Sequence, residues 1–181
     1  ITVYEANEYK CVKMILFNNQ SENPIQLIKI INILIMGGKF DNNTGGRLIT
    51  VSVADKFQVI KSLFLNNKHD GVIYGVNTKY TSIILCRFFR NSARLSFGGG
   101  IYVDDADKLE NLHSYYVHSI AGDCGGAIYA NQVNNCSNIN CTFNKNSVMD
   151  KDGRAVYVNN ASFIINMQVN FLKNNIMLLR E

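Results

Sequence analysis

The sequence of 181 residues has little charge, one proline and no tryptophan. Charged residues make up 18%, and a net charge of +4 is too small to indicate a nucleic-acid partner. Because apolar residues make up 47%, a disordered chain is excluded. The most apolar segment, residues 25–36, is interrupted by Gln26, Lys29 and Asn32 and is too short to span a bilayer. We therefore expect one domain, residues 1–181, with a substantial core and no transmembrane segment.

A repeat runs along the whole chain. An aromatic residue is followed three positions later by asparagine or a polar substitute, at steps of 23 to 28 residues. The pairs are Phe17/Gln20, Phe40/Asn43, Phe64/Asn67, Phe88/Asn91, Tyr115/His118, Phe143/Asn146 and Phe171/Asn174. In the fifth pair Tyr116/Ser119 fits equally well, because the alternation before it favours Tyr116 and the spacing after it favours Tyr115. We expect a one-residue bulge at that level.

A second signature lies between these anchors: glycine, then apolar residues, then tyrosine. It ends at Tyr74, Tyr102, Tyr129 and Tyr157, which are 28, 27 and 28 residues apart. Residues 45–49, Gly-Gly-Arg-Leu-Ile, match the same element without its tyrosine. Two signatures that keep step over most of the chain indicate a solenoid rather than unrelated segments.

The residues before each anchor alternate with a period of two, which is typical of strands and not of helices. Ile84 and Cys86, for example, share a face with Phe88, while Leu85 and Arg87 face the other way. The pattern predicts an all-β, right-handed parallel β-helix of about seven coils. At a spacing of about 4.8 Å per coil, the rod would be roughly 34 Å long.

The abundant asparagines and glycines have structural roles in such a fold. Identical turn residues lie above one another in stacked coils, where side-chain amides can form hydrogen bonds along the axis. Asparagine also tolerates the left-handed backbone of tight turns. We interpret the 25 asparagines mainly as ladders and the glycines as corner residues, since no phosphate-binding motif follows them.

The combination of the two signatures resembles a known family. Gly125-Gly126-Ala127-Ile128 followed by Phe143-Asn144-Lys145-Asn146 is similar to the GGAI and FxxN repeats in the passenger region of chlamydial polymorphic outer membrane proteins and in surface proteins of some protists. The similarity runs from about Phe40 onward, although GGAI is complete only once. It implies a surface-exposed β-helical stalk with an adhesive or structural role.

Parallel β-helices of the pectin lyase-like kind also include polysaccharide lyases and hydrolases, which stack acidic residues from successive coils. The best candidates here are Asp104, Asp105 and Asp107, as a catalytic cluster or a calcium site. The equivalent positions of neighbouring coils carry amides, so no second carboxylate is available for acid–base chemistry. We therefore expect a solvated loop and no enzyme.

The histidines and cysteines show no ligand spacing or catalytic pattern. His113 and His118 are close in sequence, whereas His69 is distant. Cys86 and Cys141 are predicted to face the core as small buried thiols. Cys124 and Cys136 flank one tyrosine strand, so a disulfide between them is the alternative to free thiols. Together with Cys11 the chain has five cysteines, an odd number whose spacing matches no disulfide framework.

Glycosylation signals and charge give weaker hints. Five asparagines stand two residues before serine or threonine, which is compatible with a secreted glycoprotein. They are Asn19, Asn42, Asn135, Asn140 and Asn160. Residues 1–100 carry a net charge of +6 and residues 101–181 carry −2, which predicts a dipole along the rod.

The tyrosines form the sharpest candidate site. Tyr74, Tyr102, Tyr129 and Tyr157 should point outward, because the residues beside them alternate inward. An exposed aromatic ladder can bind sugar rings or a protein partner. It can equally be cross-strand packing that supports only the fold.

The sequence therefore predicts a non-catalytic extracellular or cell-surface component that acts in adhesion or scaffolding. A carbohydrate-active enzyme and a glycan-binding module are the alternatives. Because the chain begins at Ile1 and neither end shows a polar cap, we expect a segment of a longer solenoid, whose ends contact further coils or other subunits.

Overall fold

A computed structural model describes residues 1–68, 70–150 and 153–176. These residues form a β-solenoid of about six turns with no helix, and hence no helix that could cross a membrane. Every strand pairs in parallel with its equivalent in the next coil, as Phe64 pairs with Phe88 and Tyr102 with Tyr129. The prediction of a parallel β-helix is confirmed.

The strands form three parallel sheets, of which the first two run the length of the rod and the third spans its last four levels. The first contains one long strand per coil, with two short strands at the last level: β1 (Thr2–Val12), β3 (Ile25–Met36), β5 (Ile49–Ile60), β7 (Ile73–Ile84), β10 (Ile101–Leu112), β13 (Ile128–Ile139), β16 (Val156–Asn159) and β17 (Phe163–Met167). The second contains β2 (Ile15–Phe17), β4 (Lys39–Asp41), β6 (Leu63–Leu65), β8 (Arg87–Phe89), β11 (Tyr115–Val117), β14 (Thr142–Asn144) and β18 (Asn170–Leu172). The third contains β9 (Ser92–Ala93), β12 (Ile120–Ala121), β15 (Ser147–Val148) and β19 (Asn175–Ile176).

Each coil has three corners, and each corner is one residue in the left-handed backbone conformation. The first corner, inside the long strand, is formed by Glu5, Lys29, Val53, Asn77, Asp105, Gln132 and Asn160. The second corner, after the long strand, is formed by Lys13, Gly37, Lys61, Leu85, His113, Asn140 and Gln168. The third corner, after the second sheet, is formed by Asn18, Asn42, Asn66, Arg90, His118, Lys145 and Lys173. A left-handed residue reverses the local twist of the chain, so three per coil give the coil its three sides.

The prediction of glycines at turns is confirmed for Gly37 and, in the loop that leads into the long strand, for Gly98, Gly125 and Gly153, whose φ values of 63° to 70° are left-handed. The second glycine of the GGAI element lies in the loop that leads into the long strand, where two coils approach closely. A Cβ on Gly126 would lie against the carbonyl oxygens of Arg154 and Ser147 in neighbouring segments. The close approach of two backbones explains why this position excludes a side chain.

Val53 is the least favourable corner residue, because a β-branched side chain clashes with the backbone at its φ of 60°. We expect Val53→Asn to raise the free energy of unfolding by about 1 kcal/mol, since asparagine tolerates this conformation and the side chain is exposed. The reverse change one coil higher, Asn77→Val, should lower it by a similar amount. Urea unfolding of both variants tests the point, and an unchanged midpoint for both would contradict the strain.

The predicted aromatic anchors form one buried column. Ring centroids are 4.9 Å apart for Phe40 and Phe64 and 4.7 Å for Phe64 and Phe88, with nearly parallel planes. The column continues through Tyr116 to Phe143 and Phe171 at 4.7 to 5.1 Å. These distances are close to the spacing of stacked strands, so each ring packs on its equivalents above and below.

The strand register corrects the anchor at the first level and decides between the two candidates at the fifth. Leu16, not Phe17, pairs with Phe40, and Phe17 is 59% exposed. Tyr116, not Tyr115, pairs with Phe88, and the strands on either side pair without a bulge. Neighbouring residues of a strand face opposite sides, so a shift of one residue places the predicted ring in solvent. The added residues of the longer coils lie instead in loops, such as the one between β9 and β10.

The asparagine ladder is confirmed beside this column. Each Nδ2 donates to the Oδ1 of the next asparagine, at 2.9 Å from Asn43 to Asn67 and from Asn67 to Asn91, and at 3.2 Å from Asn146 to Asn174. The corrected register changes two members. Asn19, not Gln20, begins the ladder, and Ser119, not His118, interrupts it. The ladder also satisfies buried backbone groups, since Nδ2 of Asn67 donates to the main-chain oxygen of Phe40 and Nδ2 of Asn91 to that of Phe64.

A second buried ladder was not anticipated from the sequence. The Nδ2 of Asn111 donates to Asn138 at 3.1 Å, and that of Asn138 to Asn166 at 3.0 Å. The hydroxyl of Tyr116 donates to the Oδ1 of Asn111 at 3.0 Å. In the lower coils the same column holds Ile83. Where the anchor column changes from phenylalanine to tyrosine, Asn111 therefore supplies the hydrogen-bond acceptor for the tyrosine hydroxyl.

Candidate functional site

The four tyrosines form a continuous stack on the outer face of the first sheet. Ring centroids are 4.5 Å apart for Tyr74 and Tyr102, 5.0 Å for Tyr102 and Tyr129, and 5.4 Å for Tyr129 and Tyr157, with planes within 19° of parallel. The predicted outward orientation is correct, and the rings are half-buried. Because the rings cover one another, Tyr102 and Tyr129 present edges and hydroxyls to solvent, and not the faces on which sugar rings stack.

Side chains outside the stack also cover its rings. The Arg47 guanidinium lies 3.4 Å from the ring centroid of Tyr74 and covers its lower face. Phe97 packs against Tyr129 with centroids 4.7 Å apart. Burial is the main cause that raises the pKa of Tyr102 and Tyr129. These contacts favour the interpretation of the tyrosines as cross-strand packing.

The three aspartates do not converge. Asp104 accepts a hydrogen bond from Asn131 at 2.8 Å and one from the Tyr102 hydroxyl at 3.4 Å. Asp105 is a first-corner residue, and Asp107 accepts from the amide of Asn134 at 3.3 Å. In the described part of the chain, no three His, Cys, Asp or Glu side chains lie close enough to hold a metal ion. The predicted catalytic or calcium cluster is therefore a set of separate carboxylates, and the expected loop is wrong, because all three aspartates lie within β10.

The five cysteines are all free, so the alternative disulfide between Cys124 and Cys136 does not form. Cys86 and Cys141 are buried on the inner face, as predicted. Burial raises the pKa of Cys86 to about 12 and that of Cys136 to about 11, so both stay protonated near neutral pH. A protonated, buried thiol is a poor nucleophile.

The histidines are separated by the fold. His113 lies at the second corner and His118 at the third, while His69 lies outside the described residues. Of the five candidate glycosylation sites, three are exposed: Asn42, Asn135 and Asn160. Asn19 and Asn140 are half-buried.

A groove that the sequence did not predict lies beside the third corner. Its volume is about 920 Å³. Six basic side chains line it: Lys68, Arg90, Arg94, His118, Lys145 and Lys173. Among the lining residues that the structure describes, Asp70 is the one carboxylate. We call this surface the cationic groove.

The core of the groove is a single column of the repeat. The third corner is the residue just before the ladder asparagine, the last variable position of FxxN. In the lower coils it is Asn18, Asn42 and Asn66; in the upper coils it is Arg90, His118, Lys145 and Lys173. Equivalent residues of stacked coils are about 4.8 Å apart, so the basic side chains form a row parallel to the rod axis. Reading this one repeat position down the sequence would have revealed the row.

The row carries a net positive charge. The four salt bridges of the described residues involve Lys29, Lys39, Lys79 and Lys108, and none of the groove cations. The pKa of His118 is lowered by burial and by the nearby charges of Lys145 and Arg90. The row draws cations from both halves of the chain, so it crosses the boundary of the predicted axial dipole. The arrangement is suited to binding an anion.

Comparisons with known proteins add no relative. No protein-family model, curated protein sequence or solved structure matches the chain.

Proposed function

We propose that the chain is a non-catalytic rod at the cell surface that acts in adhesion or scaffolding and binds its partner through the cationic groove. The observation that carries the proposal is the lining of that groove, in which five Lys or Arg side chains and a histidine face one carboxylate, Asp70. Such a lining supplies binding charge but no pair of carboxylates for general acid–base chemistry.

The proposal as a rod is supported by how the polar side chains are used. Asn131 donates to Asp104 and Asn159 donates to Asn131, both at 2.8 Å, so even the surface carboxylate belongs to a ladder along the axis. Side chains that are tied to neighbours in successive coils stiffen the structure. A stiff rod keeps a binding surface at a fixed distance and orientation.

The last described level also supports contacts with further coils or another subunit. Ile164 and Phe171 continue columns that are buried lower down, at Cys136 and Phe143, yet both are about half exposed. An apolar column that remains open is covered most simply by another coil of the same kind. The exposed sites Asn42, Asn135 and Asn160 fit a glycosylated extracellular protein.

Adhesion is tested with the full-length protein attached to fluorescent beads. We expect beads that carry the protein to attach to cultured cells several times more often than beads that carry albumin. Attachment should fall to the albumin level for the double variant Arg90→Gln/Lys145→Gln and remain with Asp104→Asn, which leaves the groove intact. Equal attachment of the wild type and the albumin beads would refute the adhesive role.

The enzyme alternative is tested on the same preparation. We expect no release of reducing or unsaturated ends from polygalacturonate, xylan or heparin. Product formation by the wild type that is lost in Asp104→Asn would overturn the non-catalytic proposal and restore the predicted Asp104 site.

A further inference from the structure

The cationic row matches a linear ligand with regularly repeated negative charges. Arg90, His118, Lys145 and Lys173 occupy four successive levels of one corner, so the row extends over roughly 14 Å at about 4.8 Å per level. The side chains project from identical backbone positions, because all four residues have φ between 50° and 57°. A straight row of this kind contacts several charges of an extended chain at once, whereas a single small anion would use only one or two members.

The clustering is specific to this corner. At the first and second corners, cations never occupy neighbouring levels: the first has Lys29 alone, and at the second Gly37 lies between Lys13 and Lys61. Cations in successive levels repel one another, and burial together with the charges of Lys145 and Arg90 lowers the pKa of His118. The row of cations at the third corner is therefore unfavourable for folding, which indicates a role other than stabilising the fold.

The other lining residues favour a carbohydrate over a nucleic acid. Among the described lining residues there is no phenylalanine or tyrosine. The aromatic ring beside the row, Phe89, already packs against the Arg90 guanidinium at 4.9 Å and against the edge of His118, so the groove offers no free stacking platform of the kind that holds single-stranded nucleic acids. Polar groups at Ser92 and Asn175 lie in the lining beside the cations and can form hydrogen bonds with hydroxyl groups. Acidic polysaccharides present carboxylate or sulfate groups on a chain of hydroxylated rings.

We infer that the cationic groove binds a linear acidic polysaccharide along the rod axis, with Arg90, Lys145 and Lys173 contacting successive acidic groups. This inference rests on the proposed function of the groove as a binding surface and names its ligand class. His118 lies between Arg90 and Lys145 and adds a further positive charge when protonated.

The test uses the full-length protein with heparin and polygalacturonate as probes, and uncharged dextran and an oligo-dT strand as controls. We expect both acidic polysaccharides to bind, the binding to weaken strongly at about 0.3 M salt, and the controls to bind at least tenfold more weakly. Arg90→Gln and Lys145→Gln should each weaken binding roughly fivefold, which is the scale of one exposed ion pair. Lys145→Gln should not lower the unfolding midpoint, because it removes repulsion.

Two matched variants separate position from net charge. Lys61→Gln makes the same charge change at the second corner, with a left-handed backbone of φ 49°, and should leave binding unchanged. Asn66→Lys extends the row one level downward and should strengthen binding several-fold. If Lys61→Gln weakens binding as much as Lys145→Gln, or if Asn66→Lys has no effect, the axial row is not the site.

The outcomes also distinguish this inference from the proposed function. Attachment of beads to cells that depends on Arg90 and Lys145, without binding of either polysaccharide, leaves the adhesive role and overturns the ligand class. Binding of both polysaccharides without attachment supports the ligand class and refutes adhesion. Tighter binding of oligo-dT than of the polysaccharides would assign the groove to nucleic acid and overturn the inference.

Discussion

Replacement of Asn67 by alanine is expected to lower the free energy of unfolding by about 4 kcal/mol. The Nδ2 of Asn67 donates to the main-chain oxygen of Phe40 and to Asn91, and its Oδ1 accepts from both the backbone N–H and the Nδ2 of Asn43. Asn67 is fully buried, so water cannot replace these bonds. Each buried donor or acceptor left without a partner costs roughly 1–3 kcal/mol.

Urea unfolding measured by circular dichroism tests this prediction. The matched control is Asn19→Ala at the first level, where the Oδ1 accepts an exposed bond from Ser21, and it should cost less than about 1 kcal/mol. Ser119→Asn should act in the opposite direction, because its buried hydroxyl has no partner in the described structure and asparagine would join the two parts of the ladder. Equal losses for Asn67→Ala and Asn19→Ala would show that the ladder does not carry this stability.

Phe64→Ala is expected to lower the free energy of unfolding by about 3–5 kcal/mol. Its ring lies between Phe40 and Phe88 at 4.9 and 4.7 Å, and no part of it is exposed. The coils above and below are fixed by continuous hydrogen bonding, so they cannot collapse into the cavity left behind. The loss should therefore lie near the upper end of the range for large-to-small changes in a core.

The control for Phe64 is Phe17, which has the same side chain one residue outside the column. Phe17→Ala should change stability by less than about 0.5 kcal/mol, whereas Leu16→Ala, in the column, should cost more. Thermal unfolding of the three variants gives the comparison. A larger loss for Phe17→Ala than for Leu16→Ala would contradict the register of the first coil.

The two internal columns also bear on the cationic groove. Lys145 is followed directly by Asn146 of the ladder, and Phe143 of the aromatic column lies two residues before it. A corner residue held between two packed columns has little backbone freedom. The cations of the third corner are thus positioned before a ligand arrives, which lowers the entropy cost of binding.

Much of this architecture could be predicted because a solenoid repeats its contacts. A period near two dozen residues, alternation by two and recurrent Phe and Asn predict the parallel strands and the buried ladder around Asn43, Asn67 and Asn91. The prediction was wrong at Phe17 and left Tyr115 and Tyr116 open, because at both levels two adjacent apolar residues suited the anchor. Alternation by two cannot choose between them; only pairing with Phe40 and Phe88 does.

The sequence by itself determined the fold class. Each coil buries its apolar face only against an equivalent coil, so the anchor residues must recur at a regular interval along the chain. The tertiary structure alone decided which polar residues meet. It covered the faces of Tyr102 and Tyr129 with neighbouring rings, and it aligned Arg90, Lys145 and Lys173, which lie 28 or more residues apart in sequence, into one row. The physical reason is that stacking places residues that are distant in sequence about 4.8 Å apart. The register of the strands then decides which residues become neighbours.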